Sequence, residues 1–177
     1  MHSMKLKLRP GRLPEGLPLG HPAALLATWF GVGLAPIAPG TWGSLAALPV
    51  AWVIEVYAGH AGLLAALGAV FVAGTWAAEV MVRRGQVQDP GFIVVDEVAG
   101  MFLTLAFTPL TWWGFAIAFL IFRGADIIKP FPANWCDANV HGGFGVMLDD
   151  LVAAIHAGIT TWLLTEYLTG DLQRFGL

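Results

Sequence analysis

Apolar segments alternate along this chain with short polar loops, and the segments differ in length. Ala23 to Ala35 and Leu45 to Tyr57 are apolar but short. Gly62 to Val82 and Leu151 to Leu168 are long enough, at about 1.5 Å rise per residue, to cross a hydrocarbon core of about 30 Å. Glu97 to Phe122 is also long but is interrupted by Thr108-Pro109. Proline cannot continue a helix without losing a backbone hydrogen bond. The break therefore predicts a hairpin of two short helices, Glu97 to Phe107 and Thr111 to Phe122, rather than one kinked helix. Such a hairpin returns Asp96-Glu97 and Arg123 to Asp126 to the same side. No segment alternates with period two over a long run. Gly and Ala are frequent, which lets helices in lipid approach closely. The predicted fold is all-α: a polytopic membrane helical bundle with long spanning helices and shorter half-embedded ones.

Composition strengthens that reading. Charged residues are only 12% of the chain, about half the share of an ordinary soluble domain, and mean hydropathy is +0.71. So few charges could not cover a water-soluble surface of this size. Some of the eight Trp suit the membrane interface, where a ring half apolar and half polar is at home. The single cysteine, Cys136, excludes an intrachain disulfide and a cysteine metal cluster. The N-terminus does not read as a secretory signal: Lys5, Lys7, Arg9 and Arg12 are followed by Pro10, Pro14 and Pro18 instead of an apolar core. Residues 1–22 are taken as a basic, proline-rich segment, with residues 1–3 set aside as a candidate cloning remnant ahead of Met4. The basic stretches Lys5 to Arg12, Arg83-Arg84 and Arg123/Lys129 belong on the cytoplasmic side, and the connections near Gly59-His60 and Thr108 to Thr111 carry no Lys or Arg.

Acidic residues are scarce, so their placement is informative. Three polar clusters fall on the expected cytoplasmic side. In the first, Gly40-Thr41-Trp42-Gly43-Ser44, glycine lets the backbone approach an anion, the hydroxyls of Thr41 and Ser44 can cap the next helix, and that helix's positive end favours phosphate. A simple capped turn is the plainer alternative, and the Gly-Lys-Ser/Thr ending of a Walker loop is missing. In the second, Asp96 and Glu97 enter an apolar stretch together. Helix capping explains one such acid; two are better explained by a bound cation. The third runs from Arg123 through Asp126, Lys129 and Asp137 to His141, Asp149 and Asp150. Arg123 and Lys129 can hold phosphate oxygens, or can snorkel at a helix end. Asp126, Asp149 and Asp150 can hold a hard divalent cation through oxygen. Asp137 reads as a solvated loop residue. Carboxylates without a Cys or His cluster favour Mg²⁺ over Zn²⁺, and a divalent cation beside basic residues is what phosphate chemistry requires. Glu79 and Arg83, spaced i,i+4, read as a mutual pair; His156 reads as structural, Cys136 as non-catalytic, and His21 and His60 as interfacial.

These clusters, in this order, resemble the phosphatidylglycerophosphatase A family. The matching stretches are Pro39 to Ser44, Asp96-Glu97-Val98-Ala99-Gly100-Met101, Phe122-Arg123 with Asp126 and Lys129-Pro130-Phe131-Pro132, and His141-Gly142-Gly143 through Asp149-Asp150. The resemblance spans about Leu34 to Ala157 and implies a Mg²⁺-dependent enzyme of the bacterial inner (cytoplasmic) membrane. It would hydrolyse phosphatidylglycerophosphate to phosphatidylglycerol and inorganic phosphate, with residues 23–177 as one membrane-embedded phosphatase domain. The expected roles are catalysis by Asp96, Glu97, Asp126, Asp149 and Asp150, and metal ligation by Asp96, Glu97, Asp149 and Asp150. Substrate binding falls to Gly40, Thr41, Gly43, Ser44, Arg123, Lys129 and His141. The expected partners are the lipid substrate and the bilayer, with no nucleic acid. Whether metal-activated water attacks directly or an aspartate forms a phosphoenzyme stays open at this level. A CDP-alcohol-type phosphotransferase would show regularly spaced aspartates with Asp-Gly and Ala-Arg patterns, which are missing here. A non-enzymatic transporter or ion-binding protein would place charges near the middle of spanning helices, whereas here they gather at one side.

Overall fold

The computed structural model describes residues 13–14, 16–86 and 90–174, with side chains up to residue 169. Every described element is helical: α1 (Pro22–Ala27), a 3₁₀ turn (Val32–Leu34), α2 (Pro39–Gly85), α3 (Val95–Leu105), α4 (Trp112–Ile128), α5 (Ala133–Asn139) and α6 (Gly142–Arg174). The basic stretch Lys5 to Arg12 lies outside the described residues.

The continuous helical run of α2 contains a reversal. Gly59 has φ 64° and ψ −173°, a conformation open to glycine and strained for other residues. Gly43 packs against Val94, and Gly74 packs against the next residue, Val95. Straight, those glycines would be roughly 46 Å apart, being 31 positions apart at about 1.5 Å each. Contact with adjacent residues requires α2 to fold back at Gly59 into two antiparallel arms, 39–58 and 60–85. Leu63 is fully buried with Ala47 and Ala51 where the arms meet. The turn falls at the Gly59-His60 connection that the sequence suggested.

The second hairpin also forms. Helix α3 stops at Leu105, ahead of Thr108-Pro109, and α4 restarts at Trp112 with the Thr111 hydroxyl accepting the Gly114 N–H at 3.1 Å. Helix α3 ends within two residues of the expected position, whereas α4 runs six residues past the expected Phe122 to Ile128, so Arg123 and Asp126 lie on the helix rather than after it. Helix α6 lies at the centre, touching α2, α3, α4 and α5. Gly100 allows the close approach: a Cβ there would sit 2.5 Å from the Phe122 ring and 3.3 Å from the Asp150 carbonyl oxygen. Phe102, Phe122, Met101 and Leu105 fill the core around this crossing.

Two helices, Pro39–Gly85 and Gly142–Thr169, are long and apolar enough to cross a membrane. Only 22% of the most apolar window of α2 is buried, unlike the core helix of a soluble protein. Val53, Val56, Val72, Leu120, Ile159 and Leu163 point outward. Hydrocarbon, rather than water, suits such a surface.

Candidate active site

Two helices supply one group of three carboxylates. The first turn of α3 carries Asp96 and Glu97, and the third turn of α6 carries Asp150. One carboxylate oxygen from each of the three lies within 4.8 Å of the others. Asp96 and Asp150 are 6% and 4% exposed, and the Glu97 side chain is 14% exposed. Asp96 Oδ1 accepts the Glu97 N–H at 3.0 Å. Glu97 Oε2 and Asp150 Oδ2 are buried without a hydrogen-bond partner. Leaving a buried carboxylate oxygen unsatisfied is costly, and three close carboxylates repel one another. A cation relieves both. Three oxygen donors, with no Cys or His among them, make a set for a hard divalent ion.

The first arm of α2 forms one wall. The Pro39 to Ser44 stretch, expected as a loop, is the first turn of that helix, entered through Ala38 at φ 48°. Gly40 is required there: a Cβ on it would fall 1.9 Å from Glu97 Oε1. Gly43 packs on Val94, where a Cβ would come within 2.8 Å of the valine Cβ. Ser44 is fully buried; its Oγ donates to the Gly40 carbonyl at 3.0 Å and accepts from Arg123 Nη1 at 3.4 Å. Its hydroxyl thus bonds to the Arg123 side chain. Thr41 sits beside Gly40, partly exposed, its N–H bonded to the Ala38 carbonyl.

Helix α4 supplies the basic side chains. Arg123 Nη1 lies 2.8 Å from Asp126 Oδ2 and 3.9 Å from Glu97 Oε1, with all three side chains 12–15% exposed. Lys129, at the C-cap of α4, bridges Asp137 at 2.8 Å and Asp149. Burial alone would lower the lysine pKa, but the two carboxylates outweigh it and hold the amine above the ordinary lysine range. Among the described residues, two basic side chains thus stand against six acidic ones here: Asp96, Glu97, Asp126, Asp137, Asp149 and Asp150.

The structure separates residues that the sequence had grouped. Asp149, expected among the metal ligands, turns to Lys129, and only Asp150 joins Asp96 and Glu97. Adjacent residues of a helix point about 100° apart, so one helix serves two clusters. Asp137, read as a solvated loop residue, is exposed as expected but lies on helix α5 and pairs with Lys129. His141 is exposed and its Nδ1 contacts the Asn139 carbonyl at 3.1 Å rather than a carboxylate. The glycines after it dock α6 on α2: the Gly143 N–H donates to Glu79 Oε2 at 2.6 Å. Glu79 does pair with Arg83, as its spacing suggested. Its bond to Gly143, 64 positions away, had only one sequence signal, an acid within an apolar helix.

A family model described as Phosphatidylglycerophosphatase A matches residues 25–165. A protein of Escherichia coli (strain K12) named Phosphatidylglycerophosphatase A is 42% identical over 159 residues, covering 89% of this chain and 92% of its own. One of the same name from Haemophilus influenzae is 38% identical, over 84% of this chain and 91% of its own. A Bacteroides thetaiotaomicron protein named Putative phosphatidylinositol-3-phosphatase is 37% identical, over 76% and 88% respectively. No solved structure matches.

Proposed function

This chain belongs to the phosphatidylglycerophosphatase A family, and we propose that it works through a divalent cation, Mg²⁺, held by Asp96, Glu97 and Asp150. It hydrolyses phosphatidylglycerophosphate to phosphatidylglycerol and inorganic phosphate, a step of phospholipid synthesis. In the net reaction the bond from phosphorus to the glycerol oxygen breaks, the oxygen of water ends on phosphorus, and the alcohol leaves with a proton. The observation that carries the site assignment is the pair of buried, partnerless oxygens, Glu97 Oε2 and Asp150 Oδ2, in one group with Asp96.

When bound, the cation supplies charge neutralisation of the phosphoryl oxygens and activation of the attacking group. The chain's own residues do the rest. Arg123 holds Glu97 and Asp126 in place, and Ser44 holds Arg123. Gly40 gives the Glu97 carboxylate its room. Lys129, a quarter exposed at the rim, is the side chain best placed to take a phosphate oxygen, exchanging Asp137 or Asp149 for the substrate.

The protein is multi-pass, with this site at the cytoplasmic face of the bacterial inner membrane. Support comes from where the charges lie. Arg123 and Lys129 adjoin the carboxylates, and Arg83 pairs with the glutamate that meets the start of α6. The far turns, at Gly59-His60 and Thr108 to Thr111, carry no Lys or Arg. That depth matches a substrate whose phosphates lie at the headgroup level.

Phosphate release by the purified protein from phosphatidylglycerophosphate in mixed micelles, with and without Mg²⁺, tests the reading. Turnover that needs Mg²⁺ and is lost in Glu97→Gln and Asp150→Asn is expected. Turnover that is unaffected by chelation and by both substitutions would overturn the assignment.

A further inference from the structure

Asp149 and Asp150 are adjacent acids with separate tasks, and the rotation of α6 decides which of them enters the carboxylate group. Something must fix that rotation. Along α6, Gly143, Met147 and Asp150 share one face, being spaced i, i+4 and i+7. The first two are docking points on the second arm of α2. A Cβ on Gly143 would lie 2.3 Å from both the Thr75 carbonyl oxygen and the Glu79 nitrogen, so the two backbones are in direct contact. Gly74 receives Met147, whose Cε would lie 3.0 Å from a Cβ there. The polar lock at this contact is the Glu79 carboxylate, which accepts the Gly143 N–H at 2.6 Å. A negative group at a helix N-terminus also complements the positive end of the helix. Gly142, at φ 77°, completes the fit, because a Cβ on it would meet Glu79 Oε2 at 2.7 Å.

We propose that Glu79 is a positioning residue for the cation site. By accepting the Gly143 N–H it sets the height and rotation of α6, so that Asp150 faces Asp96 and Glu97 while Asp149 faces Lys129. The inference rests on the cation site proposed above and adds a residue to it that touches neither ion nor substrate. Glu79 lies about 10 Å along α6 from Asp150, the rise of seven helical residues. The Arg83 pair is not part of the lock, since Arg83 is largely exposed and only flanks the carboxylate.

Mn²⁺ binding to the purified full chain in detergent, read by electron paramagnetic resonance and paired with thermal unfolding, tests this. Glu79→Ala should weaken Mn²⁺ binding by about tenfold, the low end of the loss when a direct partner of a metal ligand is removed, because Glu79 acts through the helix and not on a ligand. Glu79→Gln keeps an oxygen acceptor for Gly143 and should bind close to wild type, as should Arg83→Ala. If Glu79→Ala is not recovered as monodisperse protein, Glu79→Asp, whose shorter carboxylate falls short of Gly143, takes its place with the same expectation. Wild-type Mn²⁺ affinity in the shortened variant, even with a lowered unfolding temperature, would overturn the proposal alone. Binding as weak in Glu79→Gln as in Glu79→Ala would do the same, because charge and not the hydrogen bond would then matter. Wild-type protein that binds no Mn²⁺ would overturn the cation site and this inference together.

Discussion

Adding one methyl group at Gly40 separates the site from the fold. The new Cβ of Gly40→Ala would sit 1.9 Å from Glu97 Oε1, 2.8 Å from its Cδ and 3.4 Å from Arg123 Nη1. To restore ordinary contact at about 3.4 Å, the Glu97 carboxylate must retreat by about 1.5 Å, since packed interiors do not absorb such overlap. That carboxylate ends a side chain with rotatable bonds, so it can move without unfolding α3. Its retreat carries it away from Asp96 and Asp150. A misplacement of about 1 Å in a catalytic group costs on the order of 100-fold in rate. Stability should change far less: alanine is the better helix former by up to about 1 kcal/mol, which offsets some of the crowding. The expected result is a drop in kcat of about 100-fold with the unfolding temperature nearly unchanged. Gly124→Ala is the matched control, since nothing lies within 4 Å of a Cβ there, and it should be silent. Phosphate release across a Mg²⁺ titration, with thermal unfolding alongside, makes the measurement. Wild-type kcat and Mg²⁺ dependence in Gly40→Ala would refute the placement of Glu97 at the reacting centre.

Other expectations follow from the same geometry. Asp96→Asn should lose most Mg²⁺-dependent turnover while the protein stays in the membrane, checked by assay and fractionation. Ser44→Ala removes a bond to a carbonyl of its own helix and a long one to Arg123; only the second reaches the site, and a net hydrogen bond is worth about 0.5–1.5 kcal/mol, so a loss of turnover of up to about tenfold is expected. Lys129 is held above the ordinary lysine range, so its contribution to stability is complete below the unfolded-state value and is lost only as pH rises through the raised one. Activity between about pH 6 and 9 should therefore show no inflection that Lys129→Arg abolishes, read from the pH profile of both proteins. Gly91→Cys, just ahead of α3, and His141→Cys, just ahead of α6, both at exposed positions, should label from the same membrane side with a membrane-impermeant thiol reagent in a Cys136→Ser background. Labelling from opposite sides would sink the single-site arrangement.

Much of the architecture was legible because its signals are local. Thr108-Pro109 ends α3 whatever surrounds it, and a glycine beside a histidine in a long apolar run marks the reversal at Gly59. The helical class follows from the hydrophobic pattern. The order of polar clusters was legible as a family pattern, and the two hairpins bring them together. The division of labour within the clusters was not. Whether Asp149 or Asp150 meets Glu97 depends on the rotation of α6, which is set by contacts at Gly143 and Met147 with a helix far away in sequence. The contact between the buried Ser44 and Arg123 depends on α4 folding back through the second hairpin. His141 looked like a ligand by its neighbours, yet the two glycines beside it serve helix contact.

In the proposed site Asp96, Glu97 and Asp150 share one divalent cation. Anomalous diffraction from crystals of the full chain grown with Mn²⁺ addresses it directly. A single strong peak is predicted between these three side chains, within about 2.0–2.3 Å of Glu97 and Asp150 oxygens as for small divalent ions on carboxylates. A peak at Asp137 and Asp149 with Lys129 displaced, or protein active with Mn²⁺ and no peak at the three carboxylates, would contradict it.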